Sequence, residues 1–201
     1  MSNTFWDERY AQAAAAGSPV WSVTPNAWIE QVTSTLPPGT AIDLAAGEGR
    51  NTLWLASRGW AVTAVDFSPA GLAIGRARAV ASGLEADWVT ADATTWVSPT
   101  PVDLGVIAYL QLPAEGLTRA IANATASLAP GGTLALIGHD SENLKHGVGG
   151  PQDPTMLYDL ETLRSAAAGL DITECRRYER VTVDGQTAID SILLATKPVS
   201  E

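Results

Sequence analysis

Short apolar runs alternate with stretches of helical pattern through the middle of the chain. The runs are Ala41 to Leu44, Ala61 to Val65, Ala86 to Ala91, Leu104 to Tyr109 and Thr133 to Gly138. Strand and helix in alternation predict a parallel sheet covered by helices on both faces. Leu53, Trp54 and Ala56 are expected on one face of the first intervening helix, which Gly59 stops. Ser68-Pro69 then opens the second, with Ser68 as N-cap and Pro69 in the first helical position. After Gly169 the pattern changes, because Ile172 to Val183 and Thr187 to Thr196 flank Asp184-Gly185, a hairpin signal. The expected fold class is therefore α/β, a doubly wound, mostly parallel seven-stranded sheet ending in an antiparallel hairpin.

Composition narrows the picture. The chain has 201 residues, 46% hydrophobic and 17% charged, enough for one domain with a substantial core. Residues 1–38 read as an N-terminal helical lid segment and 39–201 as the α/β core. A net charge of −10 argues against nucleic acid and anionic membranes as partners, since phosphate contacts need clustered Lys and Arg. No apolar stretch approaches the roughly 18 residues of a membrane helix, and the start Met1-Ser2-Asn3-Thr4-Phe5-Trp6 lacks the form of a signal peptide. The single cysteine, Cys175, excludes an internal disulfide and fits a cytoplasmic setting; it reads as a half-buried strand residue. A homodimer is left open.

The chemistry begins at Ala41-Ile42-Asp43-Leu44-Ala45-Ala46-Gly47-Glu48-Gly49-Arg50-Asn51. An apolar strand runs into a small-residue turn before a helix, whose first N–H groups have no partner within the helix. A dinucleotide fold would carry GxGxxG there. Here Ala45 replaces the first glycine and Glu48 stands between Gly47 and Gly49, where it would oppose phosphate. An acidic turn suits a ligand with positive charge and no phosphate.

Asp43-Leu44-Ala45-Ala46-Gly47-Glu48-Gly49 resembles the first motif of class I S-adenosylmethionine-dependent methyltransferases. Asp66 after Ala61 to Val65, Asp92-Ala93 after Trp88 to Ala91, Asp103 to Leu110, and Leu128 to Leu134 resemble later motifs of that family. With Arg50-Asn51 and Trp54-Leu55-Ala56, the first motif is similar to the tellurite-resistance and thiopurine-like small-molecule branch, which often has Cys at the place of Ala46. The resemblance implies S-adenosylmethionine as cofactor. It also implies cofactor contacts from Asp43, Ala45, Gly47, Glu48, Gly49, Arg50, Asn51, Asp66, Phe67, Ser68, Asp92, Ala93, Ala108 and Tyr109.

Asp66 would accept hydrogen bonds from both ribose hydroxyls, with a helix-cap or turn acid as the alternative. Asp92 would accept the adenine amino hydrogen, or else is a solvated acid; Phe67 or Trp96 would pack on the base, or else belong to the core. The resemblance gives Glu48 and Asp43 the methionine amino group and sulfonium. Arg50 either pairs with Asp43 or Glu48 or takes the methionine carboxylate, and Asn51 shares that carboxylate or begins the helix. Tyr10 and Trp21 are lid candidates, the alternative being a helix docking its aromatic face on the sheet.

Beyond the fifth strand stands Gly138-His139-Asp140, then Asn143, His146 and the loop Gly147 to Pro154. That loop, with three glycines and two prolines, is expected as a mobile cover. His139 is the candidate catalytic residue: a general base, a substrate-orienting group or a structural residue. His139, Asp140 and His146 lack a spacing that supports a metal site, so none is expected. The tyrosine-containing Ala108-Tyr109-Leu110-Gln111-Leu112-Pro113 stands where enzymes acting on DNA or protein glutamine carry Asn/Asp-Pro-Pro-aromatic, which favours a small, partly hydrophobic acceptor. The expected activity is in-line methyl transfer to O, N, S or a heavier chalcogen. The rivals are a non-catalytic S-adenosylmethionine-binding module and a nicotinamide-dependent oxidoreductase.

Overall fold

A computed structural model describes residues 3–16, 20 and 22–199. Seven strands form one mixed sheet in the order β3-β2-β1-β4-β5-β7-β6, and the chain divides into two compact units after Trp96.

The first unit runs α1 (Asn3–Ala16), α2 (Ala27–Thr33), β1 (Thr40–Leu44), α3 (Arg50–Ser57), β2 (Ala61–Asp66), α4 (Pro69–Ala81) and β3 (Asp87–Thr90). Its strands pair parallel, Leu44 opposite Val65 and Asp66 opposite Thr90. Ser68 caps α4 through the Gly71 N–H with Pro69 next, as the sequence predicts. Asn26 caps α2 by accepting from the N–H groups of Trp28 and Ile29, so both hydrophobic side chains enter the core.

On α3, Asn51, Thr52 and Leu55 are buried, and Leu53, Trp54 and Ala56 are only half-buried. The reason is polar: Asn51 accepts from the Asn26 N–H at 2.9 Å, and the Thr52 hydroxyl donates to Asp43 at 2.7 Å. Two inward hydrogen bonds rotate the helix away from its most apolar stripe.

The second unit contains β4 (Val102–Ala108), α5 (Ala114–Ser127), β5 (Leu128–His139), α6 (Asn143–His146), α7 (Leu160–Ala166), β6 (Asp171–Val181) and β7 (Thr187–Thr196). β4 and β5 are parallel; β7 pairs antiparallel with both β5 and β6. The terminal hairpin forms where Asp184-Gly185 predicts it, Gly185 taking φ +73. Its core includes Leu104, Val106, Ile107, Leu134 to Ile137, Ile192 and Leu193, all with no measurable exposure. Cys175 is half-buried on β6, its thiol pushed up by burial.

Candidate active site

The turn after β1 is built around Asp66, the last residue of β2. Its Oδ2 accepts the Gly47 N–H and its Oδ1 the Ser68 N–H, both at 2.8 Å. One buried carboxylate thus holds the glycine turn and the start of α4 together. Burial raises its pKa against those two N–H bonds, with Asp7 adding to the rise. Ala45, the first residue after β1, sits at φ +60, a conformation costly for a residue with a Cβ.

Gly47 and Gly49 also have positive φ, and their missing side chains are space already in use. A Cβ on Gly47 would stand 2.5 Å from the Tyr10 hydroxyl, and one on Gly49 2.6 Å from the Trp88 ring. Gly75 of α4 faces the same ring, 2.4 Å from a Cβ there. Tyr10, only 5% exposed, stacks on Trp6, while Asp7 accepts the Ser68 hydroxyl, so α1 covers the turn. Trp21 lies outside the described residues.

Gly49→Ala is accordingly expected to lower unfolding free energy by about 2–4 kcal/mol, from left-handed backbone strain plus overpacking against Trp88. Urea unfolding checks this. A Trp88→Ala background should remove the packing share of the loss and leave the backbone share.

Asp43 lies beneath the turn with 1% exposure. Its Oδ2 accepts from Thr52, and its buried Oδ1 has no hydrogen-bond partner among the described residues. Burial, partly offset by Thr52 and the Arg50 charge, pushes its pKa up to about 6. Glu48, also buried, accepts the Val20 N–H at 3.1 Å and pairs with Arg78 at 3.3 Å. Arg50 reaches the Ser22 hydroxyl at 3.4 Å. Asn51 is spent on Asn26, so its side-chain oxygen anchors α2.

Asp92 is exposed and turns back on Thr94, accepting its N–H and hydroxyl at 2.8 Å, while Ala93 is buried. Phe67 and Trp96 are half-buried. The turn residues and Asp66 therefore converge, and Asp92 with Ala93 follows the neighbouring strand β3.

In the second unit Ala108 ends β4, and Tyr109 next to it has φ +59. Ala45 and Tyr109 are the two non-glycine residues with positive φ among those described, each the first residue past a parallel strand. The Tyr109 hydroxyl donates to Asp190 of β7 at 2.8 Å, Arg180 of β6 donates to the same oxygen at 2.9 Å, and His139 stands 3.0 Å from the other oxygen. Sequence reasoning missed Asp190 and Arg180. A carboxylate inside the apolar run Ala188-Ile189-Asp190-Ser191-Ile192-Leu193 was the available signal.

The start of the glycine loop expected as a mobile cover is held by hydrogen bonds. Asn143 donates to the carbonyls of Val148 and Gly149 and accepts the Ile189 N–H, while the Val148 N–H bonds to Thr187. Asp140 spends both oxygens on Arg177, the Glu142 N–H and Ser191. His146 is exposed beside Glu142. No group of His, Cys, Asp and Glu among the described residues could hold a metal ion, and no helix among them is long and apolar enough to cross a membrane.

Residues 41–132 match the family described as a methyltransferase domain. No curated protein matches the sequence. Solved structures similar to the chain include TehB from Haemophilus influenzae, at 17% identity and TM-score 0.73, covering 86% of this chain and 62% of that one. NodS, an N-methyltransferase from Bradyrhizobium japonicum WM9 solved with S-adenosyl-L-homocysteine, is 16% identical at TM-score 0.68, with 95% and 86% covered. The [4+2]-cyclase SpnF is 18% identical at TM-score 0.74, with 98% and 94% covered. The family match takes in the glycine turn, and the solved structures share the α/β fold.

Proposed function

We propose that the chain transfers a methyl group from S-adenosylmethionine to a small-molecule acceptor. The observation that carries this reading is Asp43 Oδ1, a buried carboxylate oxygen beneath the glycine turn without a hydrogen-bond partner among the described residues. A buried acceptor of this kind is costly unless a donor meets it, and a cationic ligand without phosphate supplies one.

The residues fit the cofactor. Each oxygen of Asp66 already takes one backbone N–H and keeps a second lone pair for a ribose hydroxyl. Asp43 and Glu48 give the turn negative potential for the amino and sulfonium groups, and Asp92 with Ala93 takes the adenine edge. Ala45, Gly47, Gly49, Arg50, Asn51, Phe67 and Ser68 shape the remaining contacts, with Tyr10 as a cover. When bound, the cofactor supplies an electrophilic methyl group on sulfur; alignment with a nucleophile can contribute about 7–11 kcal/mol toward its transfer.

The apolar Leu110, Leu112 and Pro113 after β4 support a small, partly hydrophobic acceptor, and the first motif supports the tellurite-resistance and thiopurine-like branch. Fold alone does not fix the reaction, since the cyclase SpnF shares it. The test is incubation of the protein with methyl-labelled S-adenosylmethionine and a panel of O, N, S and chalcogen acceptors. The expected result is labelled product with stoichiometric S-adenosylhomocysteine. Cofactor binding without label transfer would favour a non-catalytic binding module, and turnover of NAD(H) instead would overturn the reading.

A further inference from the structure

We infer that Asp7 of α1 is a second ribose-recognising residue, which accepts one hydroxyl of the cofactor's cis-diol while Asp66 accepts the other; this rests on the cofactor reading above. Ser68 carries the geometry. Its backbone N–H donates to Asp66 Oδ1 at 2.8 Å, and its hydroxyl donates to Asp7 Oδ1. One fully buried serine thus brings two carboxylates from distant parts of the chain together at the carboxyl end of β2.

The packing of α1 delivers Asp7 to that place. Asp7 and Tyr10 stand three residues apart, so they share a face of the helix. The Tyr10 ring lies over two glycines whose missing side chains leave it room. A Cβ on Gly71 would stand 3.1 Å from its Cε2, and a Cβ on Gly47 would meet its hydroxyl. Gly47 is also the residue whose N–H donates to Asp66 Oδ2. The face of α1 that covers the glycine turn therefore carries its own acid to the strand-end acid.

Neighbouring carboxylates repel, and more strongly where water is excluded. Burial raises the Asp66 pKa against its two N–H bonds, and the Asp7 charge adds to the rise. A neutral diol relieves that repulsion, because it brings two O–H donors and no negative charge. Room for it exists on both acids, since a carboxylate has lone-pair sites for about four hydrogen bonds and Oδ1 of Asp7 takes the Ser68 hydroxyl on one of them. A phosphate ester on either hydroxyl would instead face two like charges. The chemistry selected is a nucleoside with an unmodified ribose. An independent sign of a ligand lies in the same turn, where the buried Asp43 Oδ1 has no hydrogen-bond partner among the described residues.

The test is calorimetry with S-adenosylhomocysteine and its 2′-deoxy and 3′-deoxy forms, on the wild type and on Asp7→Asn. The asparagine oxygen can still accept the Ser68 hydroxyl, so α1 keeps its anchor, and thermal melts check that both proteins are folded. Hydrogen bonds to charged groups set the expected loss at about tenfold for each missing hydroxyl in the wild type. Asp7→Asn should weaken the parent ligand about tenfold and shrink one of the two deoxy penalties to about twofold, leaving the other in place. Were Asp7 only an anchor for α1, the variant would lose the same factor for all three ligands, and that result would overturn the inference. The wild type alone also tests it: a deoxy form bound as tightly as the parent ligand would overturn it, because each hydroxyl is assigned its own acid. Folded wild type that binds none of the three would sink the cofactor reading itself.

Discussion

Asp66→Ala is expected to weaken S-adenosylmethionine binding by two orders of magnitude or more. Two losses combine. The ribose loses an ionised acceptor, and hydrogen bonds to a charged group contribute about 1.5–3 kcal/mol each. The N–H groups of Gly47 and Ser68 also lose their partner, so the turn that shapes the cradle is released. Every 1.4 kcal/mol is a tenfold change in affinity, so the ribose term alone reaches about 100-fold. Asp66→Asn separates the contributions only in part, because its amide nitrogen must face one of the two backbone donors. Calorimetric titration paired with a thermal melt distinguishes lost affinity from an unfolded chain. An Asp66→Ala protein that melts normally and binds the cofactor like the wild type would remove Asp66 from the site.

Asp43→Asn should move stability and binding in opposite directions. Burial pushes the folded-state pKa of Asp43 up to about 6, above the ordinary carboxylate value of 3.8. Between those pH values the folded chain holds a proton that the unfolded chain releases, so stability falls as pH rises through that window and stays reduced above it. At about 1.4 kcal/mol per tenfold change in proton affinity, the full cost is on the order of 3 kcal/mol. Asp66, also raised by burial, acts in the same sense. Asp190 is held low, so its contribution is lost only as pH falls below the ordinary carboxylate range. Asparagine removes the buried charge but points an amide N–H where Oδ1 has no partner among the described residues, so a gain of about 1–2 kcal/mol at pH 8 is expected. Urea unfolding should show the wild type more stable at pH 5 than at pH 8, with much of that difference gone in the variant. Cofactor affinity should fall at least tenfold, since the charge facing the cation is gone. A variant less stable than the wild type at pH 8 would contradict the account of Asp43.

The parallel strands were legible because each apolar run coincides with one strand, and the hairpin was legible because Asp184-Gly185 allows few other turns. β5 begins at Leu128 rather than near Thr133: Leu128 pairs with Val102, and the register shifts before Leu104 meets Thr133. Pro130-Gly131-Gly132 conceals that start. The inward face of α3 carries Asn51 and Thr52, buried by hydrogen bonds that an apolar pattern does not register. The glycine turn and Asp66 lie within a short span of chain and could be recognised together. The His139–Asp190 pair could not, since its members are 51 residues apart in the sequence and meet only through the β5–β7 register. Trp88 was read as a strand residue, yet its ring also fills the space a side chain would need at positions 49 and 75.

Isothermal titration of the purified chain with S-adenosylmethionine and S-adenosylhomocysteine, with NAD as control, tests the central claim most directly. Micromolar binding of both adenosyl ligands and none of NAD is the predicted result. Binding of NAD alone, or of none of the three by a folded protein, would contradict it.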